Sequence, residues 1–173
     1  MAVLGVDYVW LNWLEAIYRV PDLFSFSDLN SSSANLQCDP MLPLLRQWLV
    51  DLSAAYPRAK IVVPLSVGGH RDHWVTCQAA FDVLDHATLL CFEDFPYVAY
   101  LPEQAKELAK SYDLVPLEVD ISPYVEQRVQ AAGCYQSQHA MLFYPASSFG
   151  DVIGEYACRG GRERCVERYW RFA

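Results

Sequence analysis

Two short apolar runs, Lys60–Leu65 and Ala87–Phe92, constrain this 173-residue chain most, because neither alternates polar with apolar residues. Strands of that kind are buried on both faces, as in parallel sheets covered by helices. Between them Val75, Ala79, Val83 and Leu84 recur at three-to-four spacing, which predicts a helix from about His73 to Leu84. Upstream, Asp39 offers an N-cap, Pro40 a first helical position, and Met41, Leu44, Leu45, Trp48 and Leu52 a helical stripe that stops near Tyr56 before Pro57. Helices and strands in alternation point to an α/β sandwich, a Rossmann-like, largely parallel sheet flanked by helices.

The flanks are less regular. DYVWLNWL at 7–14 is rich in aromatic and β-branched residues and reads as a strand, whereas the Ser/Asn-rich stretch Ser25–Cys38 reads as an exposed loop. Downstream, a helix over Pro102–Ser111, a strand over Leu114–Val119 and a helix opened by Ser122-Pro123 are expected. Ser148 and Asp151 form a capping-box-like start for another helix that Gly160-Gly161 can end, and ERYWRF suggests a short edge strand. Without a repeat or a composition break, the chain reads as one α/β domain over 1–173.

Charge narrows the function. With 13 Lys plus Arg against 21 Asp plus Glu, the net charge of −8 disfavours a phosphate backbone or an anionic membrane surface as partner. No apolar run reaches spanning length and the first twenty residues lack a basic leader, so a soluble, cytoplasmic protein is the expectation. The six cysteines include no Cys-x-x-Cys pair, which excludes the usual zinc ribbon and redox motif and leaves them as reduced packing residues.

The chemistry concentrates in IVVPLSVGGHRDH, residues 61–73. Ligands in open α/β sheets bind beyond the carboxyl ends of strands, and this segment places Gly68, Gly69, His70, Asp72 and His73 there. The glycines allow a turn or a close approach, while two imidazoles and a carboxylate can supply a metal ligand, a proton donor and an orienting group. Glu93 and Asp94 follow the second apolar run and can line the same cleft, and Arg19 can meet a polar or anionic substrate group. Each has a structural alternative: Asp72 as an N-cap, the histidines as hydrogen-bonded surface residues, Glu93 and Asp94 as turn caps, Arg19 in an ion pair. Cys77, one turn after His73, is a packing residue by its surroundings rather than a nucleophile.

PLSVGGHRDH, together with CFEDFPYVAY, resembles the PIG-L/LmbE-like zinc-dependent deacetylases. LGVDYVWLNWLEAIYR looks like the family's strand followed by an Asp-Ala-Ile-Tyr-Arg type segment, with Glu15 in the acidic place. The segment from Val129 to Phe143, with Tyr135, Gln136 and Gln138, and the terminal ERYWR are also similar. The resemblance implies an LmbE-like fold, zinc as cofactor, and hydrolysis of an N-acyl amide on a small-molecule amino sugar or glycoconjugate. It makes His73 the third zinc ligand, His70 the histidine that stabilises the oxyanion, and Asp72 the carboxylate that holds that imidazole.

The family's other two ligands and its aspartate base lie in a His-Pro-Asp-Asp motif after its first strand. The four histidines of this chain, His70, His73, His86 and His139, include none in such a motif. By resemblance, then, the chain lacks the opening strands of the fold and two of its three ligands. Three readings follow: a deacetylase with an incomplete site in this chain, a non-catalytic relative that binds a ligand or partner, or a site completed in trans. Missing strands would leave sheet edge and apolar surface uncovered, so self-association is also expected.

Overall fold

The computed structural model describes residues 3–20, 36–143, 148–161 and 163–173. In chain order the helices are α1 (Ala16–Arg19), α2 (Met41–Ala55), α3 (Arg71–Val83), α4 (Tyr97–Tyr100), α5 (Pro102–Ser111), α6 (Val125–Gly133), α7 (Gln136–Leu142) and α8 (Phe149–Ala157). The strands are β1 (Ile61–Pro64), β2 (Leu89–Phe92), β3 (Leu114–Asp120) and β4 (Val166–Phe172). Most of the expected loop at 25–38 lies outside the described residues, and its end, Leu36–Cys38, is a 3-10 turn.

The sheet order is β1-β2-β4-β3. β1 and β2 run parallel in the register Ile61 opposite Leu89 to Pro64 opposite Phe92, but β1 is not buried on both faces, since Val62 is 45% exposed. β2 and β4 are antiparallel, with Cys91 opposite Trp170 and Phe92 opposite Tyr169. The sheet is therefore mixed, and ERYWRF occupies an interior position rather than the expected edge. Its burial explains this: Val166 and Trp170 are both 7% exposed, too apolar and too covered for an edge. The actual edges, β1 and β3, each carry a proline, Pro64 and Pro116. Proline lacks the N–H that a ladder needs, so it is tolerated where one side of the strand has no neighbour.

Clustering of backbone contacts divides the chain into two compact units, Trp13–Leu117 with Tyr169–Ala173, and Met1–Asn12 with Glu118–Arg168. In the larger, α2 and α3 pack together. Leu42, Leu45 and Leu49 of α2 and Val75, Cys77, Ala79 and Ala80 of α3 are buried, as are Leu65, Val67, Leu89 and Cys91. Each such aliphatic side chain contributes about 1.5–3 kcal/mol by leaving water. Leu44, expected on the buried stripe of α2, is instead 52% exposed. In the smaller unit α6 packs against α8, the His139 ring stacks on Phe149 at 4.3 Å, and Ser148 Oγ accepts from Asp151 N–H at 3.3 Å as its spacing suggested.

Two expectations are corrected. Residues 7–14 form no strand, because the sheet offers their N–H and C=O groups no ladder; Val9 and Trp10 are 79% and 76% exposed. Cys158 and Cys165 are joined by a disulfide, since the turn after α8 returns their Cα atoms to within 4.0 Å; Cys77, Cys91 and Cys134 form no disulfide among the described residues. Among the described residues no helix is long and apolar enough to cross a membrane.

Candidate functional site

The carboxyl ends of β1 and β2 lie side by side, so the turns that leave them, Leu65–Gly69 and Glu93–Phe95, share one end of the sheet. The first turn is tight: Gly69 N–H donates to Ser66 C=O at 3.1 Å, and Ser66, Gly68 and Gly69 have φ of 74°, 84° and 71°. Ser66 adopts this left-handed backbone while fully buried, strain of the kind that persists where the surroundings over-determine a site. Gly68 is required twice over, because a Cβ there would lie 2.7 Å from both Cγ and Cδ1 of Tyr97. Its N–H donates to Gln104 Oε1 at 2.8 Å, tying the turn to α5.

His70 is the N-cap of α3. Its Nδ1 accepts the Asp72 backbone N–H at 3.3 Å, in place of the Asp72 cap that the sequence suggested. A neutral imidazole that accepts at Nδ1 carries its proton on Nε2. Burial, and then the neighbouring His73, hold the His70 pKa below its ordinary 6.5, which favours this neutral form.

His73 takes the complementary arrangement. Its Nδ1 stands 2.6 Å from Asp94 Oδ1, and the buried Asp94 also accepts Val67 N–H at 2.9 Å through Oδ2. The contact has ion-pair distance without hydrogen-bond alignment, so Asp94 bears on Nδ1 through its charge; a proton drawn to Nδ1 in this way leaves the Nε2 lone pair available, as in a histidine that binds metal or takes a proton. The two rings are 5.0 Å apart, and Tyr97 meets His73 edge to face at 6.3 Å.

The remaining site candidates lie around the two histidines. The Asp72 carboxylate accepts Ala16 N–H at 3.1 Å and pairs with Arg19 at 2.5 Å. Arg19 is engaged on three sides, with Asp72, with Asp39 at 3.0 Å and with Leu14 C=O at 2.9 Å, and its side chain is 7% exposed. These contacts are the ion pairing that the sequence offered as the structural alternative for Arg19. Glu93 is 6% exposed and accepts Trp170 Nε1–H at 3.2 Å, and Asp94 is 1% exposed, so both support the turns from beneath. Cys77 is buried, and hydrogen bonding to Cys91 with burial pushes its thiol far above the ordinary range, as suits a packing residue. Sequence reasoning missed Gln104, Tyr97 and Asp39. Tyr97 lies within CFEDFPYVAY, and the local sequence marks Asp39 only as a cap.

A catalytic zinc takes three protein ligands and keeps one open position. Among the described residues no three His, Cys, Asp or Glu side chains converge so as to hold a metal ion, and the Asp94 carboxylate beside His73 is engaged with its Nδ1. The residues present therefore do not fit such a centre.

No family model matches the chain, and no curated protein does. Solved structures do. The crystal structure of the A40926 pseudoaglycone deacetylase Dbv21 is 19% identical with a TM-score of 0.61, over 79% of this chain and 57% of that one. The zinc-inhibited form of teicoplanin deacetylase Orf2 is 19% identical with a TM-score of 0.61, over 81% of this chain and 54% of the other. A deacetylase-bog complex from the teicoplanin biosynthesis pathway gives the same identity and TM-score, over 81% and 55%. The chain spans a little over half the length of these structures. At this identity the likeness is one of fold: about four fifths of the chain is built like these deacetylases.

Proposed function

We propose that this chain carries one wall of the active site of a PIG-L/LmbE-type deacetylase, which hydrolyses an N-acyl amide on an amino sugar or related glycoconjugate. The observation that carries the reading is the opposed polarity of the two imidazoles. Amide hydrolysis needs a hydrogen-bond donor where negative charge develops on the carbonyl oxygen, and an electron pair nearby to manage a proton or an electrophile. His70, neutral with its proton on Nε2, is suited to the first task. His73, oriented by Asp94, is suited to the second. The fold shared with three deacetylase structures supports the same reading.

Zinc dependence would require ligands from outside the described residues, supplied by further chain or by a second polypeptide. Two features support that. Among the described residues no strand pairs with the outer edge of β1. Next to it runs an open apolar groove of about 340 Å³ lined by Leu45, Trp48, Leu49, Tyr56, Ile61 and Val62.

Reading the DNA that precedes the Met1 codon tests this: an in-frame His-Pro-Asp-Asp motif supports it, and a stop codon with no such motif in any frame defeats the single-chain version. Stoichiometric zinc together with deacetylation by this chain alone would show the site to be complete. The competing reading, a non-catalytic relative that binds a sugar-like ligand, is favoured by the lack of a three-ligand cluster among the described residues. It predicts saccharide binding without acetate release, even with any extended chain or co-purifying partner present.

A further inference from the structure

Asp39 precedes α2, far from the histidines in sequence, yet its carboxylate is 2% exposed and holds more than the helix start behind it. Oδ1 accepts from Met41 N–H at 2.9 Å and from Arg19 Nε at 3.0 Å. Oδ2 accepts from Arg71 Nε at 2.8 Å and from Arg19 Nη2 at 3.3 Å. A carboxylate that only capped α2 would need the first of these bonds and could stay in water.

The additional bonds end on the two residues that follow His70. Arg71 is bound directly. Asp72 is reached through Arg19, whose guanidinium spans both carboxylates, while the other Asp72 oxygen takes Ala16 N–H. The backbone N–H of Asp72 is in turn the donor that sets His70 Nδ1 as an acceptor. We infer that Asp39 is a positioning residue for His70: it locks α1, the start of α2 and the first turn of α3 into one frame, and through that frame selects the imidazole's Nε2–H tautomer. The inference rests on the reading of His70 as the oxyanion donor, but its test does not need activity.

Burial alone would push the Asp39 carboxyl up, yet the bonds from Arg19, Met41 N–H and Arg71 outweigh it and hold it below 3.8, so it stays charged near neutrality. Removing that charge takes a carboxylate from each of two covered guanidiniums and leaves Arg19 with Asp72 as its anionic partner.

The experiment is nitrogen-15 NMR of the imidazoles in the full chain near pH 8, where histidines are neutral, without metal or substrate. In the wild type His70 Nδ1 should resonate as an acceptor nitrogen. Asp39→Asn should move it toward the averaged position of an unconstrained ring and leave His86 unmoved. Arg71→Gln, which keeps Asp39 bonded to Arg19 and Met41, should shift it in the same direction by less, and decides the matter if Asp39→Asn does not fold. Arg46→Gln, which breaks the Arg46–Asp82 pair between α2 and α3, is the control and should leave His70 in place.

An unchanged His70 signal in the folded variants overturns the inference, as does an equal shift in Arg46→Gln. If the tautomer responds as expected while no acyl hydrolysis is ever found, the hydrolase reading falls and the positioning role stands.

Discussion

Replacing Gly68 by alanine adds one methyl group at the most crowded turn of the site. Two costs are separable. At φ of 84° an L-residue is held in the left-handed region, which costs about 1–2 kcal/mol. The new Cβ would also lie 2.7 Å from Tyr97 Cγ and Cδ1 and 3.0 Å from Tyr97 Cβ. Those are atoms near the Tyr97 backbone, so a change of rotamer at the far end of the ring does not relieve the clash, and overpacking of this kind costs about 1–3 kcal/mol. Together they predict a loss of about 2–5 kcal/mol, or a Tm lowered by about 4–20 °C for a chain of this size. Gly5→Ala isolates the backbone part, because Gly5 has φ of 63° and nothing within 4 Å of its Cβ position; it should lose about 1–2 kcal/mol at most. Urea unfolding of both variants measures the difference. Because Tyr97 packs edge to face on His73, the His73 ring signals should also move in Gly68→Ala. Equal stability loss in the two variants, with His73 unmoved, would refute the close packing on which the site's geometry depends.

Three further outcomes are expected. The His70 pKa is depressed by folding, so below its ordinary 6.5 the unfolded chain binds the extra proton first; stability present above 6.5 is lost as the pH falls toward the folded value, and His70→Asn should flatten that limb of a urea-midpoint profile. A wild-type limb that persists in the variant would assign the effect to other groups. Thiol labelling in denaturant without reductant should leave Cys158 and Cys165 unmodified, and Cys165→Ala should cost about 2–3 kcal/mol given the short loop to Cys158; labelling of both would show that the bond does not form. Val62, 45% exposed on an edge with no partner strand among the described residues, is where a lysine should suppress self-association of the chain, read by light scattering after gel filtration; identical mass distributions would place any association elsewhere.

The parts of the fold legible in the sequence are those with a strong local signature. The apolar period gave α2 and α3 within two residues, the unbroken runs gave β1 and β2, and Pro102 marked the start of α5. The histidine turn announced itself through its glycines. The failures concern partners that local composition and spacing do not specify. Residues 7–14 have strand-like composition, but composition does not supply a neighbour to pair with. ERYWRF read as an edge because nothing local says that β2 and β3 leave a slot between them. The bond between Cys158 and Cys165 depends on how sharply the chain turns after α8, a property that cysteine spacing does not reveal. Asp39 looked like one cap among many, since its arginine partners lie 20 and 32 residues away.

The interior place of β4 also has a kinetic meaning. A sheet that grew outward in chain order would add β3 directly to β2, but here β3 joins only through a strand that follows it in sequence. The early pair β1 and β2, with α2 and α3 against it, can assemble from near contacts, whereas completion awaits the insertion of β4 between β2 and β3. Long loop closures of this kind slow folding, and until that insertion the side of β2 that later meets β4 stays open.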